Sequence, residues 1–165
     1  MAQMNKEERI LRARELFLHG YNCSQSVFCA YAEDYGLPFE TALKVSASFG
    51  GGIARMRETC GAVCGMAMLV GMEEGQTKPN DPEQKQKNYK IVQQLAGVFR
   101  EKHGSIKCSE LLGLRKDAPI VSVPDERTAE YYKKRPCLRM IESAVGIYED
   151  WKDGRVDDRA GLENR

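Results

Sequence analysis

The stretch that decides the fold is Cys60-Gly61-Ala62-Val63-Cys64-Gly65-Met66-Ala67-Met68-Leu69-Val70-Gly71-Met72, which contains no charged residue. Its composition predicts a helix from about Cys60 to Glu73. A helix that is apolar all round belongs in the middle of a domain. Its three glycines are poor helix formers, so packing must hold the helix together, and neighbouring elements can come close to it at those positions.

Amphipathic segments on both sides supply the partners that such a helix needs. Helix signals place them at Lys6–Leu18, from Asn22 to before Gly36, at Phe39–Ser48, from Pro82 to about Lys102, at a short turn from Cys108, and at Cys137–Tyr148. Residues 114–127 are expected to be a loop that folds over another part of the chain. No convincing run of alternating apolar residues is present.

These patterns predict an all-α fold, a single-domain bundle of about six or seven helices. We place the cysteine-containing domain at residues 1–150 and expect a frayed, charged tail at residues 151–165. A chain of 165 residues suffices for one domain with a real hydrophobic core.

The charge balance of 25 Lys+Arg against 24 Asp+Glu argues against a general nucleic-acid binder, which would be clearly basic. No stretch approaches the length of a membrane span, and the N-terminus has no apolar segment of signal-peptide length. We therefore expect a cytoplasmic protein without membrane contacts. Thiols are kept reduced there, so the six cysteines are expected to be functional or buried rather than bonded in structural disulfides.

Four of the cysteines stand at the predicted starts of helices, namely Cys23, Cys60, Cys108 and Cys137. Free N–H groups and the positive end of the helix dipole stabilise a thiolate there. If these helix starts converge in the bundle, they form a pocket of four thiols. The alternative for each cysteine is that it is buried and inert.

The residues before Cys60 are candidates for contacts with a ligand. Gly50, Gly51 and Gly52 allow the backbone to pass close to the sulfurs, and we expect them to line the pocket. Arg55 and Arg57 would lower the pKa of Cys60 or receive an anionic substrate, unless they are ordinary solvated charges of a loop.

The two remaining cysteines receive no role from the pattern. Cys29 lies on the opposite face of its helix from Cys23, and we interpret it as a bystander. Cys64 shares a helical face with Cys60, at a Cβ separation of about 5–6 Å. Such a pair could ligate a metal ion, whereas an undistorted helix would not bridge it with a disulfide. The alternative for Cys64 is a small side chain in the core.

Established motifs do not explain these spacings. A paired Cys-x-x-Cys is absent, so neither a zinc ribbon nor a thioredoxin motif is indicated. The glycine run does not precede a Lys-Ser/Thr pair, which excludes a nucleotide-binding P-loop.

With these residues in view, the chain resembles a redox-active protein family whose pattern reads Cys…Cys-Gly-Ala-x-x-Gly…Cys…Cys. The matching segments are Gly20-Tyr-Asn-Cys23-Ser-Gln-Ser-Val27, Phe49-Gly-Gly-Gly-Ile-Ala-Arg55, Cys60-Gly-Ala-Val-Cys-Gly65, Lys107-Cys-Ser-Glu-Leu-Leu-Gly113 and Cys137. The similarity covers roughly residues 8–150. It implies redox activity at the four cysteines but supplies neither a substrate nor a reaction, and it assigns no role to Cys29 or Cys64.

Three functions remain open on the sequence. The first is redox chemistry by thiol–disulfide exchange or electron transfer, which would make the protein a thiol-based oxidoreductase. Cys60 would be the nucleophile, with a depressed pKa, and the resolving thiol would be Cys23, Cys108 or Cys137. In the second, the same four thiolates hold zinc or an iron–sulfur cluster. In the third, the protein is a helical interaction module. The partner would be an unidentified redox protein or a small thiol or metal substrate, and the oligomeric state is open.

Overall fold

The structure is a computed structural model that describes residues 2–162, and it confirms the all-α, single-domain prediction. Within these residues there are eight α-helices: α1 (Lys6–Leu18), α2 (Cys23–Cys29), α3 (Phe39–Ser46), α4 (Gly61–Glu74), α5 (Pro82–His103), α6 (Cys108–Leu111), α7 (Ala129–Lys134) and α8 (Cys137–Lys152). The extended backbone of this part of the chain pairs at one isolated antiparallel bridge, between Thr59 and Lys107.

Helix α4 lies in the middle of the bundle, where it packs against α2, α5 and α8. Its side chains at Ala62, Leu69 and Val70 are fully buried. Gly65 allows α2 to approach, because a Cβ atom at this position would lie 2.8 Å from Val27 Cβ. The apolar stretch quoted from the sequence is thus the centre of the core.

Side-chain caps explain where several helices begin. Asn5 and Asn22 each accept a hydrogen bond from the backbone N–H of the third helical residue, which completes a capping box at α1 and α2. Asp81 caps α5, and Pro82 occupies the first helical position. The sequence signals at Asn22 and Asp81 therefore predicted these starts correctly.

Two predicted helices are shorter than expected, because the chain tightens into 3₁₀ turns. Helix α2 ends at Cys29, and the next turns close with bonds from Tyr31 N–H to Phe28 O and from Ala32 N–H to Cys29 O. Helix α3 ends at Ser46 and continues as a 3₁₀ turn over Ala47–Phe49.

The count of eight helices exceeds the predicted six or seven chiefly because of α7. Thr128 caps this helix by accepting a hydrogen bond from Tyr131 N–H. Its six residues are mostly polar, so they show no apolar periodicity. Helix α8 also runs further than predicted, to Lys152 instead of Tyr148, and so crosses the proposed domain boundary at residue 150.

The expectation of a frayed tail is wrong for residues 153–162, which fold back onto α5. Gln94 Nε2 donates a hydrogen bond to Asp157 O, and Gly161 is buried against Gly97. A Cβ atom at Gly97 would lie 1.9 Å from Gly161 O, so the two backbones are in direct contact. Residues 163–165 of the predicted tail lie outside the described residues.

Among residues 2–162, no helix combines the length and the apolar character needed to cross a membrane.

Candidate cysteine site

The N-terminal ends of four helices meet at one cavity of about 330 Å³. Its lining includes the first residues of α2, α6 and α8, which are Cys23, Cys108 and Cys137, together with Cys60, which precedes α4. All four thiols are free. The structure therefore brings together the four cysteines singled out in the sequence, while Cys29 and Cys64 do not belong to the lining found within residues 2–162.

Glycines make room for the sulfurs. A Cβ atom at Gly61 would lie 2.3 Å from Cys23 Sγ, and one at Gly52 would lie 2.6 Å from Cys108 Cβ. Both distances are below those of real van der Waals contacts, so each position excludes a side chain unless the cysteine moves. Gly50 and Gly51 line the cavity, whereas Gly52 packs behind Cys108.

The loop after the glycines has an unusual backbone. Gly51, Gly52 and the three residues that follow all have left-handed φ angles, between 49° and 71°, and Arg57 has φ 61°. Non-glycine residues in this conformation cost roughly 1–2 kcal/mol each, so the surrounding structure must impose it. Bonds from Ala54 N–H to Ser48 O (2.8 Å) and from Glu58 N–H to Gly52 O (2.9 Å) hold the loop in place.

Cys60 and Cys108 are held together by the short antiparallel bridge. Cys60 N–H donates to Ile106 O at 2.7 Å, and Cys108 N–H donates to Glu58 O at 2.6 Å. The bridge aligns the entry to α4 with the entry to α6. It thereby fixes two of the four cysteines relative to each other by backbone contacts alone.

Cys23 and Cys108 both interact electrostatically with the other cavity cysteines, since the charge of Cys108 contributes to the raised pKa values of Cys23, Cys60 and Cys137. Burial raises the pKa of Cys23, and the nearby charge of Cys108 raises it further, while hydrogen bonds from the backbone N–H groups of Gly51 and Ser24 oppose the rise. The charge of Cys23 in turn contributes to the raised pKa values of Cys60 and Cys137. Cys23 is therefore close enough to each of these cysteines to interact with it electrostatically.

The prediction that the pKa of Cys60 is depressed is wrong. Burial raises the pKa of Cys60, and the charge of Cys23 adds to the rise, although the backbone N–H groups of Ala62 and Val63 oppose it. The side chain is only 7% exposed. Arg57, which the sequence assigned to Cys60, donates from Nη1 to Cys108 Sγ at 3.7 Å.

Cys137 is the least buried of the four. Burial is the main reason why the pKa of Cys137 is raised to about 11, and the charge of Cys23 contributes to the rise. The positive charges of Arg135 and Arg127 favour the thiolate and therefore limit the rise in the pKa of Cys137. Burial also raises the pKa of Cys64 to about 11, and its Sγ donates to Thr59 O at 3.7 Å.

A segment that we call the strap, residues 113–128, covers the cavity. Its residues Ser122, Pro124, Asp125 and Arg127 belong to the lining. Arg55 ties the strap down by donating from Nε to Val121 O at 3.0 Å, and Asp125 pairs with both Arg55 and Arg135. The predicted loop at 114–127 thus folds over the cysteines.

Arginines are the part of the site that the sequence analysis missed. Besides Arg55 and Arg57, the lining contains Arg127 and Arg135. Arg127 donates to Phe17 O and Tyr21 O, both at 3.1 Å, and stacks over the Phe17 ring at 4.4 Å. Only Arg135 carried a sequence signal, since it stands two residues before Cys137; nothing local marks Arg127, which reaches the site through the strap.

The placement of possible metal ligands bears on the metal-binding alternative. In the described part of the chain, no group of three or more His, Cys, Asp or Glu side chains is placed so that it could hold a metal ion. The geometry places four free thiols on the wall of one cavity.

Comparison with known proteins agrees with a redox function. Residues 21–151 match the model of the family described as "Putative redox-active protein (C_GCAxxG_C_C)". The name places Gly before Cys in its central motif, whereas this chain has Cys60 before Gly61, followed by Ala62 and Gly65 at the spacing of the name. No curated protein and no solved structure matches the chain. Since the matched region spans most of the sequence and includes all four cysteines of the cavity, the chain belongs to this redox-active family.

Proposed function

We propose that the protein is a thiol–disulfide oxidoreductase whose cavity cysteines form a reversible dithiol–disulfide couple. The observation that carries this proposal is the convergence of four free cysteines on one cavity, where Cys23 interacts electrostatically with Cys60 and Cys137. A chain that only needed small core residues at these positions would not require glycines packed against two of them.

The order of the thiols follows from their access. Cys137 is the most exposed of the four, and two arginines favour its thiolate, so we assign the first attack to Cys137 rather than to the buried Cys60. Cys23 then acts as the resolving thiol. Cys60 and Cys108 interact electrostatically with Cys23 but stay reduced in this exchange.

The chemistry balances with a disulfide as the oxidant. The Cys137 thiolate attacks one sulfur of the substrate, the substrate S–S bond breaks, and the other half leaves as a thiolate that takes up a proton. The Cys23 thiolate then attacks Cys137 Sγ and releases the second half as a thiol. The protein has lost two electrons and carries a Cys23–Cys137 disulfide, and the substrate has become two thiols. A cellular dithiol would reverse the change.

A redox titration tests the proposal. Protein is equilibrated without oxygen in mixtures of reduced and oxidised dithiothreitol, and the remaining free thiols are counted after acid quenching. We expect two of the six thiols to disappear reversibly with a single midpoint. If all six stay free until an irreversible oxidant is added, the proposed function is wrong.

A further inference from the structure

We infer that the substrate is a small anionic disulfide, one that carries carboxylate or similar negative groups beside its sulfurs. This inference rests on the proposed function and adds the class of substrate. Three observations support it: the charges of the cavity lining, the ion pairs that Asp125 already forms with two arginines of the lining, and the size of the cavity.

The lining carries an excess of positive charge. Its charged residues are four arginines, Arg55, Arg57, Arg127 and Arg135, and one carboxylate, Asp125. Burial keeps the thiols of Cys23, Cys60 and Cys137 neutral near pH 7, so they do not compensate the arginines. A ligand with negative groups would supply the missing charge.

The positive charges are not all engaged by carboxylates. In the part of the chain that the structure describes, neither Arg57 nor Arg127 forms an ion pair. Arg57 donates to Cys108 Sγ, and Arg127 donates to two backbone carbonyl oxygens. A guanidinium has five N–H donors, so both side chains keep donors for a ligand. Charge-assisted hydrogen bonds to carboxylates are the strongest that such donors form.

The strap itself shows that a carboxylate fits against these arginines. Asp125 Oδ2 lies 3.5 Å from Arg55 Nη1 and also pairs with Arg135. The two arginine side chains are 17% and 22% exposed, whereas Asp125 is 44% exposed. A carboxylate arriving from solvent can therefore be held in the same way as this surface side chain.

Size restricts the substrate to small molecules. A cavity of about 330 Å³ is at the lower end of the range for ligand sites and has no room for a folded polypeptide loop. The strap crosses it and is tied down at Val121 and Asp125.

A comparison of three small disulfides tests the inference. Reduced protein is mixed with dithiodiglycolate (two carboxylates), hydroxyethyl disulfide (neutral) or cystamine (two ammonium groups), and each rate is divided by that of free dithiothreitol with the same disulfide. We expect the normalised rate to be at least about tenfold higher for dithiodiglycolate than for the neutral compound, and lowest for cystamine. Equal normalised rates for the three would overturn the inference and leave the proposed function intact.

Three variants test whether the arginines of the cavity cause the preference for the anionic disulfide. Arg57→Gln and Arg127→Gln should each lower the ratio of the anionic to the neutral rate several-fold. Arg155→Gln removes the same charge outside the lining, next to Asp153, and should leave the ratio unchanged. If all three variants behave alike, net charge rather than the cavity sets the preference, and the inference is wrong.

A measurement without redox chemistry separates the two proposals. Adipate has the shape of dithiodiglycolate with methylenes in place of both sulfurs, and hexanediol is its neutral counterpart. Adipate should slow the alkylation of Cys137 by iodoacetamide, and hexanediol should not. Protection by adipate with no oxidation by any disulfide would support the anion site and refute the exchange function; no protection would refute the anion site.

Discussion

The two ends of α2 carry a cysteine each, and both are buried, yet their surroundings differ completely. Cys23 at the N-terminus is 8% exposed, faces the cavity and has Gly61 packed against its sulfur. Cys29 at the C-terminus is 3% exposed, and its sulfur lies 3.6 Å from Ser46 Oγ in the core. Burial therefore does not distinguish the cysteine to which we assign a redox role from the cysteine in the core. The neighbours do, and here they are other thiols, arginines and a cavity.

The largest expected difference between the two ends is in redox behaviour. In the dithiothreitol titration, Cys23→Ser should abolish the reversible loss of two thiols over the range in which the wild type is oxidised, because the resolving sulfur is gone. Cys29→Ser should still lose two thiols, since its sulfur faces the core. Equal behaviour of the two variants would make both cysteines core side chains.

A smaller effect, on stability, is expected when the glycine that accommodates Cys23 is replaced. Gly61→Ala places a methyl group 2.3 Å from Cys23 Sγ and 2.9 Å from Phe49 O, so we expect the free energy of unfolding to fall by about 1–3 kcal/mol. Gly71→Ala in the same helix meets nothing within 4 Å and should leave stability unchanged or raise it by up to about 1 kcal/mol. Urea denaturation of the reduced proteins measures both.

A double-mutant cycle sharpens this test. Cys23→Ala removes the sulfur that the new methyl group would meet, so the loss caused by Gly61→Ala should be smaller in the Cys23→Ala background than in the wild type. Strictly additive effects would show that the sulfur is not the reason for the glycine.

The smallest expected effect is in the pH dependence of stability. The pKa of Cys137 is raised to about 11 in the folded protein, so the unfolded chain loses this proton first as the pH rises. The stabilisation from the neutral thiol is fully present below the unfolded pKa and is lost between about pH 8.5 and pH 11. Replacing Cys137 by Ala should therefore make the decline in this window less steep, by at most about 1.4 kcal/mol per pH unit.

Urea denaturation of reduced protein at several pH values between 8 and 11 measures this slope. The effect should be absent at pH 6–7, where both folded and unfolded chains keep the thiol protonated. An unchanged slope in the variant would contradict the raised pKa of Cys137.

Much of this fold could be predicted from local sequence signals. Asn22 and Pro82 mark helix starts through caps and a fixed φ angle, and the uncharged stretch from Cys60 marks the central helix. Helix α7 was missed because its six residues are mostly polar and show no apolar periodicity. The packing of Gly161 on Gly97 was missed because that contact joins residues far apart in sequence.

The candidate site was predictable in its cysteines but not in its electrostatics. Placement at helix starts singled out Cys23, Cys60, Cys108 and Cys137 without structural information. The sign of the Cys60 pKa shift depends on burial and on the charge of Cys23, neither of which can be read from Arg55 and Arg57 nearby in the chain. Likewise, the strap arginine Arg127 reaches the cavity only through the fold.

Disulfide mapping tests the central claim most directly. Reduced protein is oxidised with one equivalent of dithiodiglycolate, the remaining thiols are blocked with N-ethylmaleimide in denaturant at mildly acidic pH, and peptides are identified by mass spectrometry. The proposal predicts a Cys23–Cys137 disulfide, with Cys29 recovered in alkylated form. Recovery of Cys23 as an alkylated thiol while other cysteines are bonded, or recovery of all six in that form, would contradict it.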